Sequence, residues 1–223
     1  MGIDIQEAIH AEGTTGPPVL PDGSRLHTQT HPGPERSETG VWIGILAIVM
    51  SFAAFTSAMI VRQGVSPDWR HFALPRILYG NTLILLFSSF TLRKGTDMLQ
   101  SVARASSMAL METKRTFSEG MNWLQVTLAL GGLFLVGQVL AWRALTAQGL
   151  FLSTNPSSSF FFVFTAMHGV HLLGGIAAII YMIRKLGNTN GTAKTTGLRA
   201  LSVYWHFMDG LWLYLLMLLL IRT

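Results

Sequence analysis

The sequence contains no cysteine, and this absence excludes every site that is built from protein thiolates. A disulfide, an iron–sulfur cluster and a thiolate-bound copper or zinc ion are therefore ruled out for this chain. Any redox role would depend on another subunit or on a haem. The sequence also lacks a nucleophile triad, a phosphate-binding loop and a nucleic-acid-binding surface.

Charged residues are scarce, and their scarcity indicates a membrane protein. They make up 12% of the 223 residues, against about 25% in a soluble domain. Half of the residues are hydrophobic, and the mean hydropathy is +0.43. The net charge of +5 would suggest nucleic-acid binding in a soluble protein. Here the basic residues lie between apolar segments, where they indicate topology instead.

Residues 1–40 differ from the rest of the chain because they are polar and acidic. They include six acids, two arginines and five prolines. They contain no hydrophobic core of a signal peptide, and a mitochondrial transit peptide would be Arg-rich and acid-poor. We therefore predict a solvated, flexible tail, in which His27 and His31 lack the neighbouring groups that would fix a metal.

Five apolar stretches follow the tail, each close to the roughly 20 residues that a bilayer core requires. They lack the strict alternation of strands in a membrane barrel, so only helices remain. We predict an all-α integral membrane bundle of five transmembrane helices over residues 41–223. Met98–Met111 is too polar to span, and should prolong the second helix or lie at the cytoplasmic surface. The predicted spans are Val41–Val61, Leu74–Leu92, Trp123–Ala144, Phe160–Ile183 and Ala200–Ile221.

The distribution of Lys and Arg predicts the orientation of the bundle. Eleven of them lie in the tail and in the loops after the second and fourth stretches, and five lie on the other side. Because loops rich in Lys and Arg stay in the cytoplasm, we expect a cytoplasmic N-terminus and an external C-terminus.

Strongly polar side chains in the fourth and fifth stretches fall at helical spacing. His168 and His171 are three residues apart and share a helix face, and His206 and Asp209 repeat this spacing. At about 1.5 Å per residue, Asp209 lies roughly 14 Å from the cytoplasmic boundary and His171 roughly 17 Å from the outer one. Their depths nearly coincide in a core about 30 Å thick. We define the polar cluster as His168, His171, Trp205, His206, Asp209 and Trp212.

Three interpretations of the polar cluster remain open. The histidines could bind a haem or a metal, although His168 and His171 cannot take opposite axial positions and His206 would have to supply one ligand. The cluster could relay protons, but a relay needs titratable groups in series across the whole span. It could also be a polar network that holds two antiparallel helices together, which is the interpretation we favour. We then expect Asp209 to accept a hydrogen bond from His171, His206 or one of the two indoles.

The fourth and fifth stretches resemble cytochrome c oxidase subunit III, the non-catalytic third subunit of the haem–copper oxidases. The run SSFFFVFTAMHGVHLLGG (Ser158–Gly175) is similar to the family's HG-x-H helix, and YWHFMDGLW (Tyr204–Trp212) to its WHF-x-D-x-x-W motif. Leu74–Thr91 and Gly131–Trp142 fit more loosely. The five-helix bacterial form of the family, which lacks the first two of seven helices, also has its N-terminus inside.

The resemblance implies a subunit of a cytochrome c or quinol oxidase, with no active site of its own. Such a subunit packs on subunit I and other oxidase subunits, holds lipid, and supports oxygen reduction coupled to proton translocation. Haems and copper would lie in partner subunits, so this chain would hold no cofactor or metal. The expected location is the bacterial inner membrane. Alternatives are the accessory membrane subunit of a nitric oxide reductase and, from a different class, a haem-binding or transport membrane protein.

The sequence departs from the family pattern at two acidic positions. The first helix usually carries an acid a few residues after its opening Trp, and the matching stretch after Trp42 reads Ala47-Ile48. The third helix often carries Glu near its outer end, where this chain has Gln138 and Ala141. A proton-related role of those acids therefore does not carry over to this chain.

Overall fold

The described part of the chain is helical throughout, which confirms the all-α prediction. The computed structural model describes residues 36–65, 74–104, 110–151, 155–188 and 196–222. Within these ranges there are five helices and no strand: α1 Arg36–Val65, α2 Ile77–Arg104, α3 Leu110–Ala147, α4 Pro156–Asn188 and α5 Thr196–Arg222. Most of the predicted tail, with His27 and His31, lies outside the described residues, but its last residues, 36–40, already belong to α1.

Four of these helices, α1, α3, α4 and α5, are long and apolar enough to cross a membrane. α2 does not reach that threshold within its described residues, because it carries Asn81 in its first half and Arg93 and Lys94 in its second half. The polar residues of its first half are buried against other helices: Asn81, Thr82, Ser88 and Thr91 are at most 8% exposed. Since the polar side chains face protein, the prediction that α2 spans the membrane remains compatible with its composition.

α2 and α3 form a long antiparallel hairpin that extends past the predicted spans. α2 continues to Arg104, which confirms that the first part of Met98–Met111 prolongs the second helix, while residues 105–109 lie outside the described ranges. The two backbones approach closely beyond the spans, where a Cβ placed at Gly95 would lie 3.2 Å from the carbonyl oxygen of Gly120. α2 therefore ends later in the chain than its predicted span, at Arg104, and α3 begins earlier than its predicted span, at Leu110.

Local signals fix the ends of the outer connection between α3 and α4. Gly149 has a φ of +78°, and the amide of Leu150 donates to Leu145 O at 3.1 Å, which is a Schellman ending for α3. α4 begins four residues before the predicted Phe160, because Asn155 Oδ1 accepts from the amide of Ser158 at 2.9 Å. Pro156 follows as the first helical residue, where a missing amide hydrogen has no cost.

α5 is the central helix of the bundle. It contacts α1, α2 and α4, whereas α1 contacts only α4 and α5 among the described residues. α5 runs parallel to α1, since Thr56 bonds Tyr214 and Gln63 accepts from Arg222, each at 3.0 Å or less. It runs antiparallel to α4, where Tyr204 Oη donates to the carbonyl of His171 at 2.8 Å. Consecutive membrane spans joined by short connections must alternate in direction, and the directions of α1, α4 and α5 agree with this.

Two tryptophans of α5 lie at the centre of the core, and both indoles donate to hydroxyls of α2. Trp205 Nε1 lies 3.2 Å from Ser88 Oγ, and Trp212 Nε1 lies 3.0 Å from Thr82 Oγ1. The ring of Trp205 fits between glycines of two other helices, because a Cβ at Gly131 would lie 3.0 Å from it and one at Gly175 3.2 Å. The glycines of α3 and α4 therefore make room for a side chain.

The tight contact between α2 and α3 at Gly137 leads to the first prediction. A Cβ at Gly137 would overlap the amide of Asn81, whose Nδ2 donates to Phe134 O at 3.3 Å. We expect Gly137→Ala to lower the free energy of unfolding by about 1–3 kcal/mol. The matched control is Gly132→Ala, where a Cβ meets nothing within 4 Å. Thermal unfolding of the purified protein in detergent measures both, and equal midpoints would contradict the prediction.

The indole contacts lead to the second prediction, which concerns Trp212. Trp212→Phe keeps an aromatic ring beside Phe134 but removes the donor to Thr82. We expect a double-mutant cycle of Trp212→Phe with Thr82→Val to give a coupling free energy between about 0.6 and 1.7 kcal/mol, the average and the maximum found for hydrogen bonds between membrane helices. Unfolding of the two single variants and the double variant in detergent measures it. Additive effects of the two substitutions would show that the bond does not stabilise the bundle.

Candidate functional site

The histidines of α4 point to different neighbours. His168 is fully buried, and its ring lies 5.0 Å from that of Trp212 and 5.8 Å from that of Phe134. His171 is partly exposed, lies 5.9 Å from the ring of Phe52 on α1, and its Nδ1 bonds the carbonyl of Met167 at 2.7 Å. At 3.6 residues per turn, side chains three residues apart lie about 60° from each other around the helix axis. Both histidines are therefore on one side of α4, but the ring of His168 points inward and the ring of His171 points toward α1.

The third histidine belongs to a separate contact between α2 and α5. Ser89 Oγ lies 2.5 Å from His206 Nδ1, and Asp209 Oδ2 lies 4.0 Å from the same nitrogen. Ser89 also approaches Asp209, but neither oxygen of that carboxyl group takes part in a hydrogen bond. A distance of 4.0 Å is too long for a hydrogen bond, so the His206–Asp209 contact is at most electrostatic.

The prediction that the polar cluster donates a hydrogen bond to Asp209 is therefore wrong. Both indoles donate to α2, to Ser88 and Thr82, and are not available to Asp209. Trp205 and Trp212 are one turn away from Asp209 along α5, but their rings turn toward the interior. The depth argument holds, since α4 and α5 pack with His168 beside Trp212, but depth alone does not determine the direction of a side chain.

Gln138 of α3 is a further buried polar residue whose side chain forms no hydrogen bond, and so is His168. Gln138 is 3% exposed and follows Phe134 by one helical turn. Phe134 contacts His168, and Trp142, one turn beyond Gln138, donates to Thr165 at 3.0 Å. Gln138 therefore lies at a level between Thr165 and His168, on the same side of α3 as Phe134 and Trp142.

The three interpretations of the polar cluster can now be compared with its geometry. The described residues contain no group of three or more His, Asp or Glu side chains that could hold a metal ion. The rings of His168 and His171 diverge, and His206 lies on the α2 side of α5, so these histidines do not converge on one haem. The cluster is also not one continuous network. It divides into an aromatic contact at His168, a backbone contact at His171 and the Ser89–His206–Asp209 contact.

Residues that complete these contacts were not identified as site residues from the sequence. Ser88 and Thr82 accept the indole hydrogens of α5, and each also donates to a carbonyl of its own helix, Leu85 O and Leu78 O respectively. The sequence did contain one indication of these two bonds. Thr82 and Ser88 are six residues apart on α2, and Trp205 and Trp212 are seven residues apart on α5, so the two pairs have nearly the same separation along their helices.

An apolar groove opens between α1, α4 and α5 near the start of α5. It has a volume of about 400 Å³ and is lined by residues that include Val41, Gly174, Ala178 and Tyr204. Tyr181 is 63% exposed at its edge, and the ammonium group of Lys185 lies 5.8 Å above that ring. An apolar groove with a basic residue near one end has the chemistry that an acyl chain and an anionic headgroup would need.

Comparisons with known proteins agree with this architecture. The family model for cytochrome c oxidase subunit III matches residues 37–222. The cytochrome c oxidase subunit 3 of Thermostichus vulcanus is 30% identical over 98% of this chain and 99% of its own length. The probable cytochrome c oxidase subunit 3 of Mycobacterium bovis is 29% identical over 92% of this chain and 95% of its own length. The chain belongs to the cytochrome c oxidase subunit III family.

Proposed function

We propose that this chain is a non-catalytic subunit that packs on subunit I of its haem–copper oxidase, holds lipid and supports oxygen reduction coupled to proton translocation. The observation that supports the non-catalytic role is the divergence of the three described histidines: His168 lies against Trp212, His171 bonds the backbone of its own helix at Met167, and His206 bonds Ser89. The haems and copper of the complex then lie in partner subunits. The chain itself contributes packing surface and shape.

The exposed surface of α1 supports a contact with another subunit. Only 22% of its apolar span is buried within this chain. Its exposed side includes Trp42 at 61% and Met50 at 60%. On α2, Phe87 and Phe90 are also exposed, at 56% and 60%. We infer that the first two helices pack on subunit I, in an interface larger than the roughly 1,200–2,000 Å² of a standard protein–protein contact.

The absence of the family's first-helix acid limits the part that this chain takes in proton uptake. Ile48, at the position of that acid, is 6% exposed and packs with Phe52 against α4 and α5. Among the described residues of α1 from Thr39 to Val61, no side chain titrates. Proton uptake would therefore be supported indirectly, through the structure and the lipid that this subunit provides to subunit I.

The proposed location is the inner membrane of a bacterium, with the N-terminus in the cytoplasm. The excess of Lys and Arg on the side of the α2–α3 and α4–α5 connections supports this orientation. The groove between α1, α4 and α5 then opens on the cytoplasmic half of the bundle, with Lys185 and Arg199 at the level where anionic headgroups lie.

The third prediction concerns the composition of the complex. We expect a tagged form of this chain, purified in mild detergent, to bring with it a subunit that carries haem a or haem o together with copper. After the subunits are separated, this chain should show no Soret absorption band. Haem analysis, metal analysis and mass spectrometry of the complex measure this. A partner with haem b and non-haem iron would instead assign the chain to a nitric oxide reductase, and a Soret band on the separated chain would make it a haem protein.

The fourth prediction concerns Asp209. We expect Asp209→Asn to lower the amount of assembled complex before it affects proton pumping by the complex that does assemble. The reason is that the described residues provide no series of titratable groups that connects Asp209 to both sides of the bundle. Subunit content by quantitative mass spectrometry and proton stoichiometry in vesicles provide the two readouts. Normal subunit content combined with a halved proton stoichiometry would contradict this prediction.

A further inference from the structure

Gln138 of α3 and His168 of α4 are buried polar side chains that form no hydrogen bond with the described residues. Gln138 is 3% exposed, and His168 is fully buried. Within the described part of the chain, neither polar atom of the Gln138 amide and neither ring nitrogen of His168 has a hydrogen-bond partner. Most buried polar atoms in proteins bond to protein groups or to ordered water. Four such atoms on two neighbouring helices therefore point to a partner that is not part of these helices.

The contacts of neighbouring residues place Gln138 at the level of His168. Phe134 lies one turn before Gln138 on α3, and its ring centroid is 5.8 Å from that of His168. Trp142 lies one turn after Gln138 and donates to Thr165 of α4 at 3.0 Å. Side chains four residues apart share a face of a helix. Gln138 is therefore on the side of α3 that contacts α4, at a level between Thr165 and His168.

The directions of the two helices bring these side chains closer together. In an α-helix every Cα–Cβ bond tilts toward the N-terminus of the helix. α3 and α4 run antiparallel, because later residues of α3 contact earlier residues of α4. Gln138 therefore tilts toward the level of Phe134, and His168 tilts toward the level of Thr165. The amide and the imidazole thus approach the same part of the contact between α3 and α4.

Water is the ligand that fits this environment. The Thr165 hydroxyl is already used, since it accepts from Trp142 and donates to Phe161 O at 2.7 Å. The rings of Phe134 and Trp212 lie against the imidazole, and the four polar atoms are closed off from the surface, so a lipid headgroup does not reach them. A buried water typically makes about three hydrogen bonds to polar groups that lack other partners. It also bridges polar groups more than about 3.5 Å apart, which a direct bond cannot do.

We propose that a water molecule enclosed between α3 and α4 bridges the Gln138 amide and the His168 imidazole. An uncharged imidazole offers one donor and one acceptor, and an amide offers both kinds of group, so water can complete the bridge in either direction. The bridge links the two helices inside the span, where hydrogen bonds help to hold membrane helices together. This site goes beyond the proposed function, because it lies within this chain and does not depend on which subunits accompany it.

Electron cryo-microscopy of the purified protein in nanodiscs, with the subunits that accompany it, tests the position of the water. At a resolution that shows other enclosed waters, we expect a density peak about 2.7–3.2 Å from both the Gln138 amide and a ring nitrogen of His168. The peak should disappear in Gln138→Met and remain in the control Leu140→Met, which lies on the exposed side of α3. Well-defined Gln138 and His168 side chains without a peak between them, or joined by a direct bond, would overturn the proposal.

Thermal unfolding of the same protein in detergent tests whether the two residues share a partner. We expect Gln138→Met to lower the midpoint by about 2–4 °C, because it removes one side of the bridge, and Leu140→Met to leave the midpoint unchanged. His168→Leu should also lower the midpoint, and the double variant should lose less than the sum of the two shifts. A higher midpoint for Gln138→Met would mean that its amide has no partner at all. That result, or additive shifts of the two substitutions, would overturn the proposal.

Discussion

The bundle depends on how Trp205 and Trp212 of α5 are accommodated. Helices in a membrane gain no hydrophobic free energy from leaving lipid, so close packing and hydrogen bonds must hold them together. Trp205 fills the space that Gly131 and Gly175 leave open, and its indole bonds Ser88. Trp212 packs against Phe134 and bonds Thr82. These two side chains thereby join α5 to α2, α3 and α4 at once.

Trp205 and Trp212 also explain why α2 carries hydroxyl side chains inside the bundle. A hydropathy criterion treats each polar residue as a cost, but a hydroxyl that accepts an indole hydrogen inside the bundle has exchanged water for a protein partner. Thr82 and Ser88 do this, and Asn81 donates to the backbone of α3. Three polar side chains in the first half of α2 thus connect it to its neighbours, and Asn81, Arg93 and Lys94 make α2 less apolar than the other helices.

The sequence predicted the helices, their order and the relative depth of their polar residues, because these follow from hydropathy and from a fixed rise per residue. It did not predict which way each side chain points. A rotation of α5 by half a turn would keep every depth and change every partner. The expected hydrogen bond to Asp209 was wrong for this reason, since Trp205 and Trp212 turn away from it toward α2. The observed end of α3 and start of α4 also differ from the predicted ones. Gly149 and Asn155 determine these ends through local backbone geometry and capping, which hydropathy does not measure.

The polar residues of this chain thus fall into two groups with different physical meaning. Thr82, Ser88 and Asn81 are satisfied by other helices of the same chain, so they stabilise the bundle itself. Asp209, beside the partly exposed His206, is not satisfied within the chain. Retaining such a group inside a membrane span is costly. Asp209 therefore does not stabilise the bundle in the way that the hydroxyls of α2 do, although both kinds of side chain are buried at the contact between α2 and α5.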